Sequence, residues 1–281
     1  MSRSAQGPAK SPGCAATQAT ADGILIAKEA PLAVAKIIES CARVLPGESV
    51  MHHRQAADAL GTLRAGRVRL LICGLNLPDY DGLDLVMAVH RLGLAQSVIV
   101  MTERKDERTL EFLLRRLPGT ALLDLEMVTD AALDEALMRA WHGVAWSDTA
   151  LRVAFAALRT QVDAYSERLT EAEQEVVALI ASGLTDGEAA DWRKTSEHTV
   201  RTQRRRAMEK LELHCQADLV RYAARRGLVR FAGARVLRAG FEWRALLQAG
   251  AGGGVAGQPG VFPIVRRNEV NAPLGGAPTA L

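Results

Sequence analysis

The sequence predicts an α/β domain with a five-stranded parallel sheet, followed by an all-α domain of four helices of the helix-turn-helix kind. Three observations carry this reading. Between Gly23 and Trp141, short apolar runs alternate five times with amphipathic stretches, the pattern of a parallel sheet covered on both faces. Between Leu169 and Val229, two capping-box spacings and a glycine cap mark out short helices. Charge in that second region is segregated: Glu171 to Asp191 holds six acids and no Lys or Arg. Arg193 to Lys210 then holds seven bases against Glu197 and Glu209, a local net of 7 − 2 = +5.

At 281 residues with 48% hydrophobic content the chain is long enough for two ordinary domains. A formal charge of +3 does not by itself point to nucleic acid; the local segregation does. Cys14, Cys41, Cys73 and Cys215 are scattered without metal-ligand spacing, so a reduced interior is expected, with neither metal nor cofactor. Apolar runs stay well short of the roughly 18 residues a membrane helix needs, and the expected location is cytoplasmic, away from membranes.

Taken in order, residues 1–22 are rich in Ala, Ser, Gly and Pro and are expected to be disordered. Strands are predicted at ILIA (Ile24–Ala27), SVM, VRLLIC, SVIVM and ALL, with helices over Pro31–Val44 and near Gln55–Arg64, Leu83–Leu92, Asp106–Leu117 and Asp130–Trp141. This domain is assigned to 23–145. Residues 146–168 read as a linker helix with Leu151, Phe155, Leu158 and Val162 on one stripe, capped by Ser147 or Asp148. Its stripe is expected to pack within the chain rather than on a second subunit. The helical domain follows over 169–231, and 232–281 is read as a mostly disordered tail, with a marginal helix near Phe241–Gln248.

Within the helical domain, Thr170 with Glu173 and Thr185 with Glu188 have the capping-box spacing, Gly183 suits a left-handed C-cap, and Ser196 can cap the third helix. At about 100° per residue, Val200, Gln203, Ala207 and Leu211 share the packed face of that helix. His198, Thr202, Arg205, Arg206 and Glu209 project from the other, with Arg201 on the flank. A basic helix fits the DNA major groove, where Arg bonds guanine bidentately and neighbouring Arg residues neutralise phosphates.

These residues resemble the LuxR-type DNA-binding domain of NarL-like response regulators over about 60 residues. Matching positions include Leu169, Thr170, Glu173, Val176, Gly183, Glu188, Ser196, Thr199, Val200, Lys210 and Leu211. The resemblance implies DNA contacts at Lys194, Ser196, His198, Thr199, Arg201, Thr202, Arg205 and Arg206, and dimerisation on DNA through the fourth helix, with Leu219, Val220 and Ala223. Two departures stand out: Arg193-Lys194-Thr195 replaces a usual Leu-Gly-Ile turn, and Gln203 stands where His is common.

The first domain resembles a receiver domain of the flavodoxin-like kind, and LNLPDYDGLDL (Leu75–Leu85) resembles its loop after the third strand. That family phosphorylates an aspartate with help from two acids, a Thr or Ser, and a Lys. The corresponding positions here are Lys28 and Glu29, Gly74, Thr102, and Asp124. Gly74 has no nucleophile and an ammonium at Lys28 repels Mg2+. The implied pocket is degenerate, and Lys28 is expected to pair with Asp124 or Glu29 as a fixed lock. Asp79, Asp81 and Asp84 read as turn formers and a helix start, Cys73 as an inert core thiol. His52, His53, His90 and His142 are given no role.

The function expected is a DNA-binding transcriptional regulator independent of phosphorylation, which binds double-stranded DNA as a homodimer and is not an enzyme. A partner protein or small ligand at the receiver-like unit would supply control. The alternative is a protein-interaction adaptor with weak or lost DNA binding. An enzyme using Glu29, Asp79 and Asp124 is disfavoured because nucleophile and base are not suggested together.

Overall fold

The computed structural model describes residues 23–249 apart from 67, 118, 145, 148 and 160–167. Strands β1 (Gly23–Ala27), β2 (Val50–His53), β3 (Val68–Gly74), β4 (Ala95–Thr102) and β5 (Ala121–Asp124) pair in parallel in the order β2-β1-β3-β4-β5. Successive side chains point to opposite faces. Ile24, Ile72 and Ile99 therefore meet α1 (Pro31–Val44) and α5 (Asp130–Trp141), while Leu25, Leu71 and Val100 meet α2 (Ala56–Ala65) and α3 (Gly82–Leu92). Both faces are covered, which explains why these runs lack polar alternation.

The predicted helix over Asp106–Leu117 is instead two pieces. Asp106 caps α4 (Glu107–Glu111) by accepting from Thr109 N–H at 2.8 Å, and a π-helix follows over Phe112–Arg116. In this wider turn the adjacent Phe112 and Leu113 are both buried in the core. Gly82 opens α3 against the preceding loop, where a Cβ would lie 2.3 Å from the Gly74 carbonyl oxygen, so only glycine fits.

Helix α6 (Thr149–Arg159) buries Leu151 and packs Phe155 and Leu158 against the first core, as expected of the linker stripe; Val162 and Asp148 lie outside the described residues. Four helices follow: α7 (Glu171–Ala181), α8 (Asp186–Arg193), α9 (Glu197–Lys210) and α10 (Gln216–Arg225). Val176, Leu179, Val200, Ala207, Leu219 and Ala223 share their core.

The expected tail from 232 needs correction. Strands β6 (Val229–Ala232) and β7 (Arg235–Arg238) form an antiparallel hairpin, and α11 (Trp243–Ala249) follows. Gly233, at φ 60°, makes the turn. Leu237, Ala239 and Leu246 are buried, and that burial, not local propensity, orders the segment. Residues 1–22 and 250–281, both expected to be disordered, lie outside the described residues.

Candidate nucleic-acid interface

Local hydrogen bonding builds the helix-turn-helix. Thr170 and Glu173 form a full capping box at the start of α7, and Thr185 and Glu188 another at the start of α8. Gly183, at φ 101°, takes the left-handed position after α7. Ser196 Oγ accepts from Thr199 N–H at 3.1 Å and caps α9. These caps satisfy N–H groups that a helix start leaves without partners.

The turn between α8 and α9 keeps a left-handed residue, although that residue is Lys194, at φ 54° and ψ 50°. The position favours glycine, so Lys194 carries a conformational cost of about 1 kcal/mol. Neighbouring contacts hold the turn: Thr195 N–H donates to Ala190 O at 3.0 Å. Arg193 Nε donates to Glu175 Oε2 on α7 at 2.9 Å, and its Nη1 donates to Gln203 Oε1 on α9. The two departures noted in the sequence thus touch each other, and one charged bridge links three helices.

On α9 the packed face is Val200, Ala207 and Leu211, with Gln203 half-buried. The outer face carries Arg201, 60% exposed, and Arg205, 71% exposed, with exposed His198 and Arg206 and half-buried Thr199 and Thr202. Lys194 and Ser196 are exposed at its start. Every residue proposed from sequence to contact DNA lies on this side or at this helix end.

The segment's net of +5 overstates what faces outward. Lys210 Nζ lies 2.6 Å from Glu173 Oε2, Arg193 is held by Glu175, and Arg204 lies 3.1 Å from Asp186. Arg201 contacts Glu197 and lies 3.7 Å from Asp186; Arg205 lies 3.7 Å from Glu209. Exposed pairs of this kind contribute about 0–1 kcal/mol. A phosphate or guanine edge can displace them at little cost. Burial works against ionisation of Glu173, yet Lys210 and the Thr170 cap hold its carboxyl below the ordinary range.

The fourth helix places its residues differently from expectation. Leu219 and Ala223 are 0% exposed, inside the core, and Val220 is half-buried. The first two cannot be contact residues of a dimer, because the hydrophobic stripe of α10 faces α7. The outward side presents Ala217, Arg221 and Arg225.

At the receiver-like end, the five pocket positions lie near the carboxyl ends of the strands but do not form the expected lock. Asp124 Oδ1 accepts from Glu126 N–H at 3.0 Å, and its Oδ2 forms an ion pair with Lys105 Nζ at 3.0 Å. Glu29 pairs at 3.4 Å with Arg54, and Thr102 Oγ1 accepts from Arg104 N–H at 2.9 Å. Lys28, 8% exposed, has no ion-pair partner within 4.0 Å among the described residues; its side chain runs over Gly74 instead. Burial lowers its pKa against the attraction of Glu103. The lock failed because Gly74 leaves an empty space above the strand that Lys28 fills, while Lys105 is closer to Asp124.

The acids after β3 have structural work. Asp79 accepts from Ala56 and Ala57 N–H at 2.8 and 2.9 Å, and Asp81 caps α3. Among the described residues no group of three candidate ligands could hold a metal ion. Burial pushes the Cys73 thiol up to about 12, so it is inert at neutral pH. His52, His53 and His90 bond to Lys28 O, Thr62 and Thr120. Sequence reasoning missed the partners that tie down Arg193 and Arg204. Their only sequence signal was the acid-rich stretch before α9.

Residues 167–223 match the family described as bacterial regulatory proteins, luxR family. The chain is 26% identical over 188 residues to the tetrathionate response regulatory protein TtrR of Salmonella typhimurium, covering 66% of this chain and 85% of that protein. It is 26% identical over 163 residues to the transcriptional regulatory protein MctR of Rhizobium johnstonii, covering 57% and 73%. A structure of RcsB from Salmonella enterica serovar Typhimurium bound to a promoter shares the fold, with TM-score 0.50 and 22% identity over 72% of this chain and 98% of that one. Among the described residues, no helix is long and apolar enough to cross a membrane.

Proposed function

We propose that this chain, a response-regulator-type transcriptional regulator with a luxR-family DNA-binding domain, reads duplex DNA through α9 and does so without aspartyl phosphorylation. The observation that carries the reading is the outer face of α9, where Arg201, Arg205 and Arg206 stand exposed beside a capped helix start. Arg205 and Thr202 are assigned to base edges, and Arg201, Arg206, Lys194 and the Ser196 end of the helix to flanking phosphates. His198 and Thr199 lie at the helix start, beside the backbone that enters the groove.

A single short helix covers few base pairs, so two copies would bind adjacent half-sites. The outward side of α10 around Val220, Arg221 and Arg225 is the face we assign to that pairing. At the receiver-like unit, Gly74 supplies no acceptor carboxylate and Lys28 occupies the space above it. Control would then come from abundance, a partner protein or a small ligand. A salt-titrated binding assay on the untreated full chain tests the reading against an adaptor without DNA affinity: a reader loses affinity steeply as salt rises, because bound phosphates release counterions. Absence of any duplex binding at low salt refutes it.

A further inference from the structure

The residues after α10 tie the two units together. Arg230 Nε lies 3.1 Å from Asp81 Oδ2 and its Nη2 donates to Leu77 O at 2.7 Å. Arg235 donates to Pro78 O and Asp79 O at 3.2 and 2.9 Å. Both arginines thus grip the loop that follows Gly74. Asp84, fully buried on α3, accepts from Gly240 N–H at 3.3 Å and Glu242 N–H at 2.7 Å, and α11 then packs on α3 and α2.

A second row of contacts joins α4 to the helical domain. Arg108, 2% exposed, has its guanidinium 4.2 Å from the Phe241 ring centre and donates to Ala239 O and Gln174 Oε1, each at 3.2 Å. Its backbone N–H donates to Arg226 O at 3.1 Å, and Arg226 pairs with Glu107 at 3.1 Å. Arg238 completes the row: it pairs with Glu242, donates to Ser182 Oγ at 3.2 Å and stacks 4.3 Å over Trp192. Trp192 precedes Arg193, which holds Gln203 of α9. Removing one member of such a buried network leaves a charge without its partner, so the contacts resist piecemeal loosening.

All of these contacts lie away from the outer face of α9, whose own packing is on α7 and α8. We propose that residues 229–249 are a clasp that holds the DNA-binding domain to the receiver-like unit as one body, with the recognition face already open. Binding DNA therefore needs no release of one unit from the other. This rests on the DNA-reading proposal for its purpose, although the clasp itself does not.

Hydrogen exchange on the full chain tests it, with and without a mixed-sequence duplex at low salt. Arg108 lies in the first turn of α4, where its N–H has no acceptor within the helix; its acceptor is Arg226 O, across the interface. Glu242 N–H likewise depends on Asp84. The clasp predicts slow exchange at both amides in the free chain and unchanged rates with the duplex bound. It also predicts exchange at Arg108 at least about tenfold faster in Asp84→Ala. Fast exchange in the free wild-type chain, loss of protection on binding, or an Arg108 amide unaffected by Asp84→Ala overturns it. A chain that keeps both amides protected but ignores the duplex retains the clasp and refutes the DNA-reading proposal instead.

Discussion

The Lys28 side chain lies across Gly74, so that a Cβ added to the glycine would stand 3.1 Å from Lys28 Cγ and 3.2 Å from its Nζ. An ammonium in that space repels Mg2+, and a strand end that carries no carboxylate offers a phosphoryl group no acceptor. The reading predicts that acetyl phosphate with Mg2+ adds no phosphoryl mass to any aspartate of residues 23–145. It also predicts that Lys28→Met, which keeps an unbranched apolar stem one atom shorter and removes a poorly paired buried charge, is neutral or stabilising by about 0–1 kcal/mol. Intact-mass measurement and denaturant unfolding check the two. A stability loss beyond about 2 kcal/mol means the ammonium has a partner that this account omits.

Arg193 bridges Glu175 and Gln203 across three helices, in the turn where apolar residues are usual for the LuxR-type pattern. A double-mutant cycle of Arg193→Ala and Gln203→Ala should give a coupling energy of about 0.5–3 kcal/mol, the range for residues in direct contact. Additive effects on unfolding would show that the contact contributes nothing to the geometry of the turn.

The capping carboxylates set an acid limit. Thr185 N–H and Oγ1, at 2.7 and 2.8 Å, hold Glu188 below its ordinary 4.5. Glu173 is also held below its ordinary value, by Lys210 and Thr170 against the cost of burial. A depressed folded-state pKa gives stability that is present above the unfolded value and lost as pH falls through the folded one. Melting temperature should therefore fall from about pH 5 to about pH 3, and fall less steeply in Glu188→Gln, since glutamine keeps the cap without the proton. Identical profiles for the two chains would remove the cap from the explanation.

Leu219 supports α10 from inside the core. Leu219→Ala is expected to destabilise the helical domain by about 2–5 kcal/mol. Arg221→Glu, on the exposed side, should change stability by no more than about 0.5 kcal/mol and yet weaken a two-part DNase footprint. A one-part footprint in wild type contradicts pairing altogether.

Elements written locally were legible in the sequence. The capping boxes at Thr170 and Thr185, the cap at Ser196 and the start of α5 follow from side chains within a turn of the backbone they serve, and α1 starts at Pro31, whose fixed φ suits a first helical position. The buried face of α9 was equally legible, because it depends only on helical period. What failed depended on distant neighbours. The helix read near Phe241–Gln248 is present as α11, but Asp84 meets Glu242 across 158 positions, so nothing near Glu242 foretold where that helix would dock. Lys28 was assigned to Asp124 by charge alone, whereas the space above Gly74 and the reach of Lys105 decided the outcome. The period placed Leu219 and Ala223 on one stripe of α10 without saying whether that stripe met α7 or a second chain.

The central claim is that α9 reads DNA in the unphosphorylated full chain, and quantitative binding to genomically selected duplexes across a salt series tests it most directly. The account predicts that untreated wild type binds with a steep salt dependence, and that Arg205→Ala loses discrimination of about 1–3 kcal/mol. It further predicts that Arg201→Ala/Arg205→Ala flattens the slope by about one counterion, through the phosphate contact of Arg201, and abolishes selectivity through the loss of Arg205. Unchanged affinity and slope in that double variant, or binding by wild type only after treatment with acetyl phosphate, would contradict it.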